Sequence, residues 1–256
     1  MLCGDTTQME NGRKEMTSCF SIGMCAVGDF YVSMAVRVLQ DVRMLNDFKA
    51  YVMTDKKEAF SSIKNIHIIG YSKPIFSYHD KLIVCKKALS ENDSVLLMDA
   101  DHRFSKNTKM QVSCDSFECG CYPEWCFDNN SDWSMTGFLD GKNREVPYGN
   151  EFEKFCSERG YRSRGLKHIQ ESCMLIKETN DIKKQKFFKA WGDLKDFCNK
   201  IDLDRRNKEV LGAGEGYSIA VALDYAGIAI RDNKAYRNLL LGFKHLRYEK
   251  NNKGKV

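Results

Sequence analysis

Apolar residues are spaced along the first hundred positions in two rhythms. Residues 19–26 (CFSIGMCA), 49–54 (KAYVMT), 63–70 (IKNIHIIG) and 95–98 (VLLM) have the length and composition of strands, most of them apolar enough to be covered on both faces. Between the first two, Tyr31, Met34, Ala35, Val38, Leu39, Val42 and Leu45 recur at helical spacing, and Asp29 stands where an N-cap is expected. A second helix is predicted from about Tyr78 to Leu89, and the turn-forming ENDS separates it from the last apolar run. Strand, helix, strand, strand, helix, strand is the order of an open α/β sheet.

The second half is less regular. It holds a cysteine-bearing stretch, a polar segment (DNNSDWS), a helix predicted at 150–159 and an apolar strand at 173–176. A basic, aromatic helix (KKQKFFKAWGDLKDFC), a glycine-rich turn (GAGEG), an apolar helix (YSIAVALDYAG) and a basic tail follow. Nothing repeats, and no long flexible linker divides the chain. The expected organisation is a polar segment, 1–18, followed by one domain over 19–256.

Composition narrows the function classes. In 256 residues, 43% hydrophobic with 11% aromatic, there is enough apolar surface for a core, which excludes intrinsic disorder. A net charge of +5 suits an anionic substrate but is too small to indicate nucleic acid. No run of apolar residues is long enough to span a bilayer, and the polar N-terminal stretch lacks a secretory signal, so a cytoplasmic protein is expected. The 11 cysteines then read as reduced, mostly buried thiols. Cys114, Cys119, Cys121 and Cys126 cluster with the spacing C-x4-C-x-C-x4-C, irregular for a zinc site; a strand with a flanking loop is the alternative to a metal knuckle.

The strongest chemical signal is VLLMDADHRF. An apolar strand delivers Asp99 and Asp101 at its carboxyl end, and alternation along an extended chain places both carboxylates on one face. Two like charges so close need a cation, and oxygen-rich pairs suit Mg²⁺ or Mn²⁺ with a substrate phosphate. Open α/β sheets bind ligands just outside the carboxyl ends of their strands. The bland alternative is a solvated acidic loop.

This pattern resembles the GT-A glycosyltransferases, glycogenin-like and related enzymes especially, over about residues 19–105. CAVGDFYVSMAVRVLQDVR looks like the family's first strand, loop and helix, AYVMTD like its second strand, and HDKLIVCKKAL like the helix before its metal strand. The resemblance implies an α/β fold, a single GT-A-like domain with an open mixed sheet flanked by helices. Residues 19–105 would be its nucleotide-binding half and 106–256 its acceptor-binding half. It further implies nucleotide-sugar contacts from Ala26, Tyr31, Asp55, Lys81, Asp99, Ala100 and Asp101. Mn²⁺ or Mg²⁺ would be held by Asp99 and Asp101, with His245 of GFKHLRY as a late ligand. Glu215, which opens a helix in GAGEGYS, would be the catalytic or acceptor-orienting acid. HIQESCMLIK looks like the acceptor-side strand, although Glu171, Ser172 and Cys173 stand where the family usually has Asn-Ser-Gly. The implied activity is a hexosyltransferase that uses a nucleotide sugar, a UDP-sugar first, with a glycan, a protein or a modified nucleic-acid base as acceptor.

Two other classes compete. Glycines 212, 214 and 216 before an apolar helix look like the cofactor loop of an S-adenosylmethionine-dependent methyltransferase, but the residues ahead of them (LDRRNKEVL) are mostly charged rather than a buried strand. The stretch KKQKFFKAW could stack and pair with a nucleic-acid single strand. At helical spacing, Phe187, Phe188 and Trp191 are more simply one core face.

Overall fold

The computed structural model describes residues 20–43, 48–102, 117–126, 148–206, 210–211 and 214–232. Strands β1 (Ser21–Ala26), β2 (Ala50–Thr54), β3 (Ile66–Gly70), β5 (Ser94–Met98), β6 (Phe117–Cys126), β7 (Lys167–Lys177) and β9 (Ile230–Asp232) form one sheet in the order β3-β2-β1-β5-β7-β6-β9. The first four run parallel, β7 is antiparallel to both its neighbours, and β9 is parallel to β6. The expected mixed α/β sheet flanked by helices is therefore present. A separate two-stranded ladder pairs β4 (Phe76–Ser77) with β8 (Val210–Leu211).

Alternate residues of each central strand feed two cores. Ile22, Met24 and Ala26 of β1, Val52 of β2, and Leu96 and Met98 of β5 pack with Val32, Ala35, Val38 and Leu39 of helix α1 (Asp29–Arg43). On the opposite face Tyr51, Met53, Val95 and Leu97 join the helices α2 (Lys81–Glu91), α3 (Tyr148–Glu158), α4 (Asp181–Ile201) and α5 (Glu215–Ala226). Burial on both faces is why these strands read as apolar runs rather than as alternating ones. The helix α2 lies so close to the sheet that a Cβ on Gly23 would come within 2.7 Å of Leu97 Cδ2 and 2.9 Å of Val84 Cγ1. Only glycine fits there.

Several boundaries differ from those the sequence predicts. The helix expected from Tyr78 is a tight turn at Tyr78–Asp80 followed by α2 from Lys81. The strand expected at 173–176 extends over Lys167–Lys177, and β9 lies in what reads as the approach to the tail. Cys119, Cys121 and Cys126 fall on β6, whereas Cys114 lies outside the described residues. Cys25, Cys85, Cys156, Cys173 and Cys198 are in no disulfide among the described residues and are buried, as reduced thiols would be.

The two competing classes meet physical obstacles. Phe187 and Trp191 are buried in the core, with Phe188 half-buried against it, so this helix offers no stacking platform. Among the described residues, those ahead of the glycine turn form a π-helical stretch (Asp202–Arg206) and the two-residue β8 outside the main sheet, where a cofactor loop needs a full buried strand. Among the described residues no helix is long and apolar enough to cross a membrane.

Candidate functional site

The strand order reverses between β1 and β5, each of which has its other neighbour on the opposite side. Chains leaving the carboxyl ends of two such strands part company and leave a crevice. A cavity of about 270 Å³ occupies this place, walled by Cys25 of β1, Val27 just after it and Tyr31 of α1, and by Asp99, Ala100 and Asp101 after β5. Phe76, Tyr78 and Lys81 close one side, and Glu171 of β7 and Glu215 of α5 another.

The two aspartates meet by a turn, not by strand alternation. β5 ends at Met98; the Asp99 N–H donates to the Ser172 carbonyl at 2.9 Å, and the His102 N–H donates to the Asp99 carbonyl at 3.2 Å. Donor atoms of Asp99, Asp101 and His102 consequently lie within 4.8 Å of one another. Asp101 and His102 are buried, with the His102 Nδ1 3.2 Å from Asp101 Oδ1, and Asp99 is partly exposed. Two carboxylates and an imidazole make a donor set that fits a divalent cation. His102 is the residue missed in the sequence, although its place directly after Asp-x-Asp was visible. His245 lies outside the described residues.

Lys81 is the first residue of α2, where the helix dipole opposes a cation. Its side chain is only 4% exposed, and Nζ reaches Asp99 Oδ1 at 2.6 Å, Glu215 Oε1 at 3.4 Å and the Glu171 carbonyl at 3.1 Å. Burial works against the charged amine, but Asp99, then Glu215 and Glu171, outweigh it and hold the pKa above the usual range.

Glu215 shows the opposite balance. Gly214, at φ +64°, turns the chain into α5 in a left-handed conformation that glycine adopts without strain, and Glu215 opens the helix. The helix N-terminus favours a carboxylate, but burial pushes the pKa well above the usual carboxylate range. Lys81 offsets this only in part, while Glu171 and Asp99 add to it. Oε1 is near enough to Lys81 for charge attraction, yet among the described residues no hydrogen bond is aligned on it. Glu171 is likewise raised, chiefly by burial, with Lys81 pulling it back. Among the described residues the cavity sets one cation against four carboxyl side chains, Asp99, Asp101, Glu171 and Glu215.

Other residues named from the sequence have quieter places. Asp55, at the end of β2, accepts the Gly28 N–H at 3.1 Å and so braces the loop between β1 and α1. Gly28 takes φ +83° there. The Ala26 side chain is fully buried in the core, leaving only its backbone to face a ligand. Cys25 lines the cavity, but burial pushes its thiol pKa up, which makes it a wall rather than a nucleophile.

No protein-family model and no curated protein sequence matches the chain. Among solved structures, the chain is similar to the glycosyltransferase GlyE of Streptococcus pneumoniae TIGR4, at a TM-score of 0.36 and 12% identity. The match covers 80% of this chain and 43% of that one, so the chain spans less than half the length of that relative.

Proposed function

We propose that this chain is a metal-dependent glycosyltransferase that moves a sugar from a nucleotide-sugar donor, a UDP-sugar in the first instance, to an acceptor hydroxyl. The observation that carries the proposal is the convergence of Asp99, Asp101 and His102 beside the buried pair Lys81 and Glu215, in one cavity at the sheet's reversal point. Asp99, Asp101 and His102 would hold Mn²⁺ or Mg²⁺, which when bound neutralises charge on the departing diphosphate. Lys81 supplies a fixed positive charge to the same group, desolvated and already oriented. Tyr31 stacks on the nucleobase, and Asp55 holds the loop on which Tyr31 follows. Ala26 and Ala100 touch the nucleotide sugar without side chains large enough to block it, Ala100 from the cavity wall and Ala26 from the end of β1. Residues 19–105 thus form the donor half and 106–256 the acceptor half. Glu215 faces the acceptor hydroxyl at the mouth of α5, as the carboxyl that orients it or takes its proton.

The test is a panel of nucleotide sugars scored for thermal stabilisation and hydrolysis, with Mn²⁺ and with a chelator. One nucleoside diphosphate sugar should raise the Tm and be hydrolysed only with the metal. Stabilisation by S-adenosylmethionine and by none of the nucleotide sugars would reverse the assignment.

A further inference from the structure

The residue before Lys81 is a second buried charge, on the other side of the chain. Asp80 is fully buried, and its Oδ1 is met by Lys195 Nζ at 2.5 Å and by Lys73 Nζ at 2.7 Å. Lys195 belongs to α4, and its own side chain is only 12% exposed. Oδ2 accepts the Ser77 N–H at 3.4 Å, closing the turn Tyr78–Asp80. The same short segment is joined to α4 twice more. Ser77 Oγ donates to Asn199 Oδ1 at 2.8 Å, and Trp191 Nε1 donates to His79 Nδ1 at 3.3 Å.

The side chains of this segment divide between two tasks. Phe76, Tyr78 and Lys81 line the cavity, whereas Ser77, His79 and Asp80 are buried and joined to α4. Asp80 precedes α2 but makes no side-chain capping bond to it; its carboxylate faces the two lysines instead. A buried ion cluster of this kind is a poor source of stability, since apolar replacements commonly do as well. What it does supply is a fixed direction. The geometry points to Asp80 as a positioning residue: paired with Lys195 and Lys73, it fixes the first turn of α2 so that the Lys81 ammonium stays between Asp99 and Glu215. This inference rests on the proposed function only for what Lys81 then binds. A displacement of about 1 Å at such a group is enough to cost a hundredfold in rate.

The test is the isosteric Asp80→Asn, alone and combined with Lys81→Met. The crystal structure of Asp80→Asn should show Lys81 Nζ displaced from Asp99 Oδ1 by about 1 Å or more. An unchanged Lys81–Asp99 contact overturns the proposal whether or not any nucleotide binds. Affinity for the probe UDP with Mn²⁺ gives the second arm. Asp80→Asn should weaken it at least about tenfold when Lys81 is present. In the Lys81→Met background the further loss should be under about twofold, because the residue acts through Lys81. Equal losses in both backgrounds would mean a merely structural part and would sink the proposal. Should Asp80→Asn not fold, Lys195→Gln leaves Asp80 one lysine and is read in the same two backgrounds, by the same criteria. Failure of the wild type to bind any nucleoside diphosphate would refute the glycosyltransferase proposal, and the displacement of Lys81 would still decide the role of Asp80.

Discussion

Asp80 and Lys81 are neighbours in sequence, and each is the centre of a buried ion cluster, yet the two clusters are built to opposite rules. Around Asp80, two ammonium groups share one carboxylate oxygen and a backbone N–H approaches the other. Burial tends to raise the Asp80 pKa, but Lys195 and Lys73 prevail and hold it below its ordinary value. Around Lys81, one ammonium serves Asp99 and Glu215, and among the described residues the Glu215 Oε1 has no aligned donor. The first cluster is closed and needs nothing more. The second has a surplus of carboxyl groups and an unmet oxygen, a costly state for a buried group, and it opens on a cavity. Buried charge by itself is thus a poor sign of function; the balance of charge around it is the informative part.

The contrast breaks most severely if the open cluster does not need its surplus carboxylates. Asp101→Asn should reduce metal-dependent transfer on the order of 10²–10³-fold while the Tm stays within a few degrees of wild type. Equal transfer rates with and without chelator, in mutant and wild type alike, would remove the metal from the account. Next in size is Lys81→Met. Removing the cation leaves Asp99, Glu215 and Glu171 without their shared partner and should cost about 3 kcal/mol in urea unfolding, the lower end for a broken buried pair. A loss under about 0.5 kcal/mol, the size of a neutral surface change, would show that the carboxyls simply take up protons. Glu215→Gln keeps the size and removes the ionisable group. Transfer should fall about a hundredfold with donor affinity close to wild type, as measured by initial rates and titration calorimetry. Full activity would reduce Glu215 to a helix-opening residue.

The smallest effect is also the most discriminating, because the two clusters must respond to pH with opposite sign. Glu215, facing Lys81, Glu171 and Asp99, has a raised pKa in the folded state. Its contribution to stability is whole below about pH 4, where unfolded glutamate is also protonated, and is lost as pH rises toward the folded value. Asp80, facing Lys73 and Lys195, has a lowered pKa. Its contribution is whole above about pH 4 and is lost as pH falls through the folded value. Urea midpoints across this range should show Glu215→Gln flattening the neutral side of the profile and Asp80→Asn flattening the acid side. Slopes of the same sign would contradict the distinction between closed and open clusters.

Much of the parallel half was legible because its physics is local. Strands β1, β2 and β5 are covered on both faces and appear as apolar runs, and Asp99 and Asp101 stand visibly at the end of one of them. The antiparallel half was less so. Glu171 reaches the site because Met98 pairs with Cys173 across β5 and β7, a register that neither strand announces alone. β6 contains a proline, glutamates and three cysteines, and follows neither a run nor an alternation. The Asp80–Lys195 pair spans 115 positions and joins a turn to a helix face, so only the folded chain brings it together. His102 was legible in principle but invited attention only once the turn after β5 placed it beside Asp101.

The small ladder of β4 and β8 has an evolutionary consequence. Ser77 pairs with Leu211, and from each the chain runs four residues, to Lys81 on one side and to Glu215 on the other. The two spacings are equal in sequence, so the ladder sets both charged ends from one pair of positions. Adding or deleting one residue between Ser77 and Lys81, where the chain is a 3-10 turn, would shift the ammonium by about 2 Å and swing it about a third of a turn, enough to break its 3.4 Å approach to Glu215 Oε1. Connections between elements usually tolerate changes in length, but these two spacings should not. Among relatives that keep the lysine and the glutamate, both four-residue spacings are expected to be free of insertions even where the residues between them vary.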